Sequence, residues 1–181
     1  MKHLDCDQLL RCTEIFEWNK DMYIFFELME GGAIKRFIQT HSAISEVFCK
    51  WTLFQVALGL KAMHDKDILH RDIKSENILC NESGDIKICD LGFSCFLHEQ
   101  DIYKASDKGT PGYAAPELFK GTFYSKEIDV WSFGCFAYEL ATGRPPFLSK
   151  VKIDKQGRTN LSPLIQALCN EDVPPIGGHY S

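Results

Sequence analysis

The chain has 181 residues, 45% of them hydrophobic and 25% charged, and a formal net charge of −5. That balance suits one globular domain, or a large part of one, and argues against disorder. The acidic surplus excludes a broad basic surface for nucleic acid, and the longest apolar runs, such as Met22 to Phe26, fall far short of a bilayer span.

The opening stretch, "MKHLDCDQLL", is too polar for a secretory signal. "CTEIFEW" and "MYIFFELM" are rich in β-branched and aromatic residues, and Asn19, Lys20 and Asp21 between them carry turn chemistry, so a hairpin is predicted. Glu30 to Gly32 breaks the second strand, and "AIKRFIQ" predicts a short helix. Ser45 is the expected N-cap of the next helix, whose Val47, Trp51, Phe54 and Leu58 recur at helical spacing and predict one buried stripe ending near His64. Short apolar runs before His70, after it and before Asp90 predict strands around two exposed loops, with "NESGD" as a turn. Lys126 to Thr142 reads as a helix stopped by Gly143, and Pro163 to Asn170 as a last one.

Eight cysteines occur without a CxxC pair, several inside apolar runs. Reduced, buried thiols in an intracellular, cytoplasmic protein are expected, and clustered ligands for zinc are absent from the pattern.

The chemistry is concentrated in ordered stretches: "HRDIKSEN" (His70 to Asn77), "CDLG" (Cys89 to Gly92), "GTPGYAAPE" (Gly109 to Glu117), "DVWSFG" (Asp129 to Gly134) and "GRPPF" (Gly143 to Phe147). Singly, each reads as ordinary loop polars capping backbone groups. In this order and spacing the chain resembles the eukaryotic protein kinase family, Ser/Thr type, with "GTPGY" leaning toward calmodulin-dependent and "HRDIKSEN" toward sterile-twenty-type members.

The resemblance implies an α+β, protein-kinase-like fold. Residues 1–29 would be a remnant of the smaller lobe, hairpin and hinge, and residues 30–181 the helical lobe without its last helices. It implies ATP and Mg²⁺ as cofactors, a protein substrate, and an upstream activating kinase; no nucleic-acid or membrane partner is expected. Asp72 would orient the substrate hydroxyl and accept its proton. Lys74 would neutralise charge on the transferred phosphoryl group, and Asn77 and Asp90 would supply hard oxygen ligands to Mg²⁺. Glu27 and Met29 would meet the adenine edge through backbone, Leu79 would form its apolar floor, and Phe26 would be a bulky gatekeeper, a reading compatible with plain core. Thr110 would sit near the base in the substrate-binding loop, and Lys74 with Thr110 favours Ser/Thr over Tyr acceptors. Ser106 is the expected activating phosphosite, with Thr110 and Tyr103 as competitors, and Arg71 the phosphate-sensing residue. His70 is expected to pack beneath the site and Asp129 to brace the loop backbone. Glu76 keeps a modest case for a basic substrate preference, which Ala33, standing where an acidic residue often serves, weakens.

The sequence also departs from the pattern. No GxGxxG and no VAIK-like lysine occurs, Leu91 stands for the usual Phe, and helices expected after "PPI" do not follow. Glu117 is therefore expected to be left partly buried and unpaired. An inactive, truncated helical lobe serving as an interaction module is the competing reading, and weak binding of Mg·ATP by these 181 residues is its corollary.

Overall fold

The computed structural model describes residues 5–41, 44–97, 109–120, 123–154, 156, 157 and 159–177. Strands β1 (Cys12–Trp18) and β2 (Asp21–Phe26) form an antiparallel hairpin in which Trp18 faces Asp21 and Phe16 faces Tyr23. The turn places Asn19 and Lys20 at φ 52° and 69°, the left-handed geometry that a two-residue connection needs to match strand twist. Both strands are exposed over most of their length, so cross-strand pairs stabilise the hairpin in place of a core: the Phe16 ring stacks on Tyr23 at 5.2 Å and on Phe25 at 5.5 Å. β2 stops at Phe26, earlier than the "EGG" break expected from sequence, and Phe26 is exposed, so the plain-core reading of that residue is corrected.

Strand β3 (Gly32–Ala33) follows, then α1 (Ile34–Thr40) and the long α2 (Glu46–His64). The Ser45 hydroxyl accepts the Phe48 amide at 3.3 Å and caps α2 as expected. The buried face of α2 carries Cys49, Thr52, Val56, Gly59, Leu60 and Met63. Val47, Trp51, Phe54 and Leu58 are exposed, which overturns the predicted stripe. The two sets lie on roughly opposite sides of a helix with 3.6 residues per turn, and both repeat at steps of three and four, so periodicity alone could not choose between them. Gly59 decides the matter: its bare backbone lets α2 approach β6, where an added Cβ would meet Ile88 Cδ1 at 2.8 Å.

Beyond α2 come β4 (Ile68–Leu69), β5 (Ile78–Cys80), β6 (Ile86–Ile88) and β7 (Cys95–Phe96). β3, β5 and β6 form one antiparallel sheet in that order, and β4 pairs with β7. The first three of these four strands are the predicted ones; β7 was not foreseen. The helices α3 (Pro116–Lys120), α4 (Glu127–Thr142) and α5 (Ser162–Asn170) complete the chain with a small ribbon, β8 (Lys152–Ile153) and β9 (Thr159–Asn160). Gly143 ends α4 at φ 84°, its amide donating to the Glu139 carbonyl at 2.7 Å.

The main core packs Ile34 and Ile38 of α1 and Val56, Leu60 and Met63 of α2 against Ile73, Ile78, Ile86 and Ile88, with Phe136 and Leu140 of α4 closing it. Ile73 belongs to the "HRDIKSEN" loop and is fully buried, so the loop is anchored from below by apolar contact. The cysteines are free thiols, but only Cys49 and Cys135 are buried; Cys169 is exposed and the other five are half-buried, so uniform burial does not hold. No helix among the described residues is long and apolar enough to cross a membrane.

Candidate active site

The loop after β4 is fixed by one buried carboxylate. Asp129, at the first turn of α4, is fully buried; its Oδ2 accepts the His70 amide and its Oδ1 the Arg71 amide, each at 2.8 Å, and the His64 ring contacts Oδ2 at 2.8 Å. Those bonds hold Arg71 at φ 68°, a left-handed conformation that is costly for a side chain of this size. The brace anticipated for Asp129 is thus a pair of backbone hydrogen bonds.

His70 is fully buried, and its protonation state follows from its partners. Nδ1 lies 3.2 Å from the Asp72 amide, which can only donate, and Nε2 lies 3.0 Å from the Cys89 carbonyl, which can only accept. The ring is therefore neutral with its proton on Nε2. Burial pushes its pKa below the usual imidazole value, although Asp129 and the Cys89 carbonyl work in the opposite direction.

This frame delivers Asp72 with 4% of its surface exposed. Its Oδ2 receives the Lys74 ammonium at 2.7 Å and the Asn77 amide at 3.0 Å, and its Oδ1 receives the Thr110 hydroxyl at 2.8 Å. Lys74 also donates to Thr110 Oγ1 at 2.8 Å, which closes a triangle. A single turn over Ser75–Asn77 folds Asn77 back, and its NH₂ also bonds the Asp72 carbonyl at 2.8 Å. Four of the predicted residues therefore meet at one carboxylate.

Asp90 is placed next to them by the backbone: the Cys89 amide donates to the Asn77 carbonyl at 2.9 Å. Asp90 itself stands at φ 60°, exposed, with Oδ1 accepting the Gly92 amide at 3.1 Å. Its carboxylate and the Asn77 amide oxygen are hard donors on adjoining segments, a set whose chemistry fits a small divalent cation such as Mg²⁺. Cys89 is no competing nucleophile, because burial and the neighbouring Asp90 push its thiol up to about 11. The Arg71 guanidinium reaches the Phe93 carbonyl at 2.5 Å and the Tyr124 hydroxyl at 3.3 Å, beside the segment that leaves the site. Ser106 and Tyr103 lie outside the described residues.

The predicted nucleotide residues lie on two neighbouring pieces of chain. Glu27 and Met29 follow β2, and Leu79 of β5 pairs with Ala33 of β3, four residues past Met29. The Met29 side chain is buried and its carbonyl accepts the Gly32 amide at 3.0 Å. The Glu27 carboxylate pairs with Lys87 of β6 at 2.8 Å and accepts the Arg11 amide at 2.7 Å. Partial burial opposes ionisation there, but the Lys87 and Arg11 contacts outweigh it and hold the carboxyl below its usual range. Sequence reading gave Glu27 a backbone role and missed this tie.

The protein kinase domain family model matches residues 1–176. This chain belongs to the protein kinase family. Among curated relatives, the serine/threonine-protein kinase CST20 of Candida albicans is 39% identical over 137 residues, covering 74% of this chain and 11% of the relative. The serine/threonine-protein kinase STE20 of Debaryomyces hansenii is 37% identical over 157 residues, covering 84% of this chain and 14% of the relative. The serine/threonine-protein kinase cds1 of Schizosaccharomyces pombe is 32% identical over 183 residues, covering 95% of this chain and 40% of the relative. The chain thus spans well under half the length of these kinases.

Two further features of this kinase domain were not legible beforehand. Glu117, expected to stand alone, is half-buried on α3 and is not without a partner. Lys35 of α1 bonds the fully buried Glu139 of α4 at 2.7 Å, a pair separated by 104 positions with no local motif to announce it.

Proposed function

We propose that this chain carries the catalytic region of a serine/threonine protein kinase, which transfers the γ-phosphoryl group of ATP to a Ser or Thr hydroxyl of a protein. The observation that carries the reading is the Asp72 carboxylate held by Lys74, Asn77 and Thr110 at hydrogen-bond distance. In-line phosphoryl transfer asks a protein chiefly for positioning and charge neutralisation. Asp72, oriented by three donors, takes the proton of the acceptor hydroxyl. Lys74 stands within reach of both that carboxylate and the substrate-binding loop, and so offsets charge on the group in transit. Thr110 fixes the loop that seats the acceptor.

Mg²⁺, when bound, neutralises the nucleotide phosphates; Asn77 and Asp90 are the residues that would hold it. The backbone at Glu27 and Met29 would take the adenine edge, with Leu79 beneath. Residues 1–29 then serve as hairpin and hinge of the smaller lobe and residues 30–181 as the helical lobe. Arg71 would read a phosphate placed on Ser106 by an upstream kinase. The working compartment on this reading is the cytoplasm, with a protein substrate and neither nucleic acid nor membrane as partner.

The test is Asp72→Asn in the full-length protein. Phosphotransfer to a Ser/Thr protein substrate should fall by at least about a hundredfold, while Mg²⁺-dependent nucleotide affinity survives. Retained turnover in that variant would remove Asp72 from the role.

A further inference from the structure

Near the acceptor side of the loop, two carboxylates share one ammonium group. Lys35 Nζ is 2.7 Å from Glu139 Oε1 and 3.7 Å from Glu76 Oε1. Glu139 is fully buried, whereas the side chains of Lys35 and Glu76 are 25% and 44% exposed, so the cluster opens to solvent on its Glu76 side. Short links tie it to Asp72. The Tyr113 hydroxyl donates to Glu139 Oε2 at 2.5 Å, and Tyr113 donates its amide to the Thr110 carbonyl at 3.0 Å. Ser75, beside Glu76, lies 3.3 Å from the Tyr113 hydroxyl and 3.3 Å from Glu76 Oε2.

We propose that Lys35 is a specificity-determining residue: its ammonium fills the Glu139–Glu76 carboxylate pair from within the chain and so withholds that pair from a basic side chain of the protein substrate. The inference rests on the kinase reading above for what lies across the cluster. The two carboxylates sit on the elements that build the acceptor site, one four residues after Asp72 and the other bonded through Tyr113 to the loop of Thr110. On that reading, a substrate bound with its hydroxyl at Asp72 would pass beside them. Two carboxylates and one cation leave the cluster at net −1; without the cation it would stand at −2, partly desolvated, and would attract a guanidinium strongly. Burial works to lower the Lys35 pKa, yet the hydrogen bond and charge of Glu139, with Glu76 adding, outweigh it and hold the group charged. A lysine serving only to tie α1 to α4 needs Glu139 alone, and the reach toward the exposed Glu76 is what the specificity role adds.

The experiment uses the full-length protein and two fluorescent peptides around one serine acceptor, with either arginine or glutamine at the positions just before it. Binding is read by anisotropy, and phosphorylation of the same peptides is followed in parallel. Wild type should bind the two peptides within about twofold. Lys35→Ala should bind the arginine peptide about tenfold better than the glutamine peptide, and adding Glu139→Gln should erase that gain. Should Lys35→Ala fail to fold, Lys35→Met keeps the aliphatic stem, removes only the charge and should show the same preference. A folded charge-removed variant that gains no arginine preference overturns the inference, as does a wild type already selective for arginine. Phosphorylation proceeding with that gain absent sinks the Lys35 role alone. Arginine binding gained while no form phosphorylates either peptide sinks the catalytic reading and leaves the Lys35 role standing.

Discussion

The Thr110 hydroxyl donates to Asp72 Oδ1 at 2.8 Å while accepting from Lys74 at the same distance. One side chain therefore couples the segment after Gly109 to both Asp72 and Lys74. Thr110→Ala leaves those charges in place and removes an orienting donor, so kcat should drop by roughly tenfold while KM for ATP stays within about twofold. Thr110→Ser keeps the hydroxyl and should recover most of the rate. Steady-state kinetics on the three forms decide it, and an alanine variant with full kcat would exclude the coupling.

Asp129 carries the loop itself. Its carboxylate satisfies two backbone amides and contacts His64 from a fully buried position. Asp129→Ala leaves those donors buried without partners, at a cost of about 3 kcal/mol or more. Urea unfolding should show the midpoint falling at nearly constant slope. A loss under about 0.5 kcal/mol would mean that water replaces the carboxylate easily.

How much of this was readable beforehand depended on whether the signal was local. The Ser45 cap and the Gly143 stop were legible because each is set by neighbours a few positions away, whereas the "HRDIKSEN" loop was legible only as an ordered run of residue types, its backbone being held by Asp129, 58 and 59 positions on. The side of α2 that is buried was not legible, because Val47 and Val56 sit in stripes of equal periodicity and only the approach of β6 at Gly59 selects one. The Lys35–Glu139 bond was invisible for the same reason, being a product of how α1 meets α4. The contrast is measurable. Val47 is 78% exposed and Val56 1%, so Val47→Glu should change stability by less than about 0.5 kcal/mol and Val56→Glu should cost more than about 3 kcal/mol. Equal losses would restore the stripe expected from sequence.

His70 gives the fold a sensitivity to mild acid. Its imidazole is buried neutral, with a pKa depressed below the ordinary 6.5 of the unfolded chain. The unfolded state then binds the proton first as pH falls, so this group's stabilisation is complete above pH 6.5 and is lost as pH drops through the folded-state value. Asp129, Asp72 and Asp90 act on the ring in the opposite sense and limit the effect. The stability of wild type, measured by urea unfolding, should decline with falling pH starting near 6.5, before the carboxyl range is reached. His70→Leu should be less stable throughout but should lose that part of the slope, and an unchanged slope would assign it elsewhere.

Gly59 makes the close approach of α2 to β6 testable. In the middle of a helix, alanine ordinarily gains about 1 kcal/mol over glycine. Here the new Cβ would stand 2.8 Å from Ile88 Cδ1 and 3.2 Å from both the Gln8 Cβ and the Gln8 carbonyl. The Ile88 methyl is part of the main core, and Gln8 is pinned by its carbonyl accepting the Ile88 amide at 2.8 Å, so neither neighbour yields without disturbing β6. Overpacking of this kind costs about 1–3 kcal/mol and should outweigh the helical gain. Gly59→Ala is therefore expected to lower the unfolding midpoint, and pairing it with Ile88→Val, which removes the contacting methyl, should recover part of the loss. If Gly59→Ala raised the midpoint, the separation of α2 from β6 would have to be larger than these distances allow.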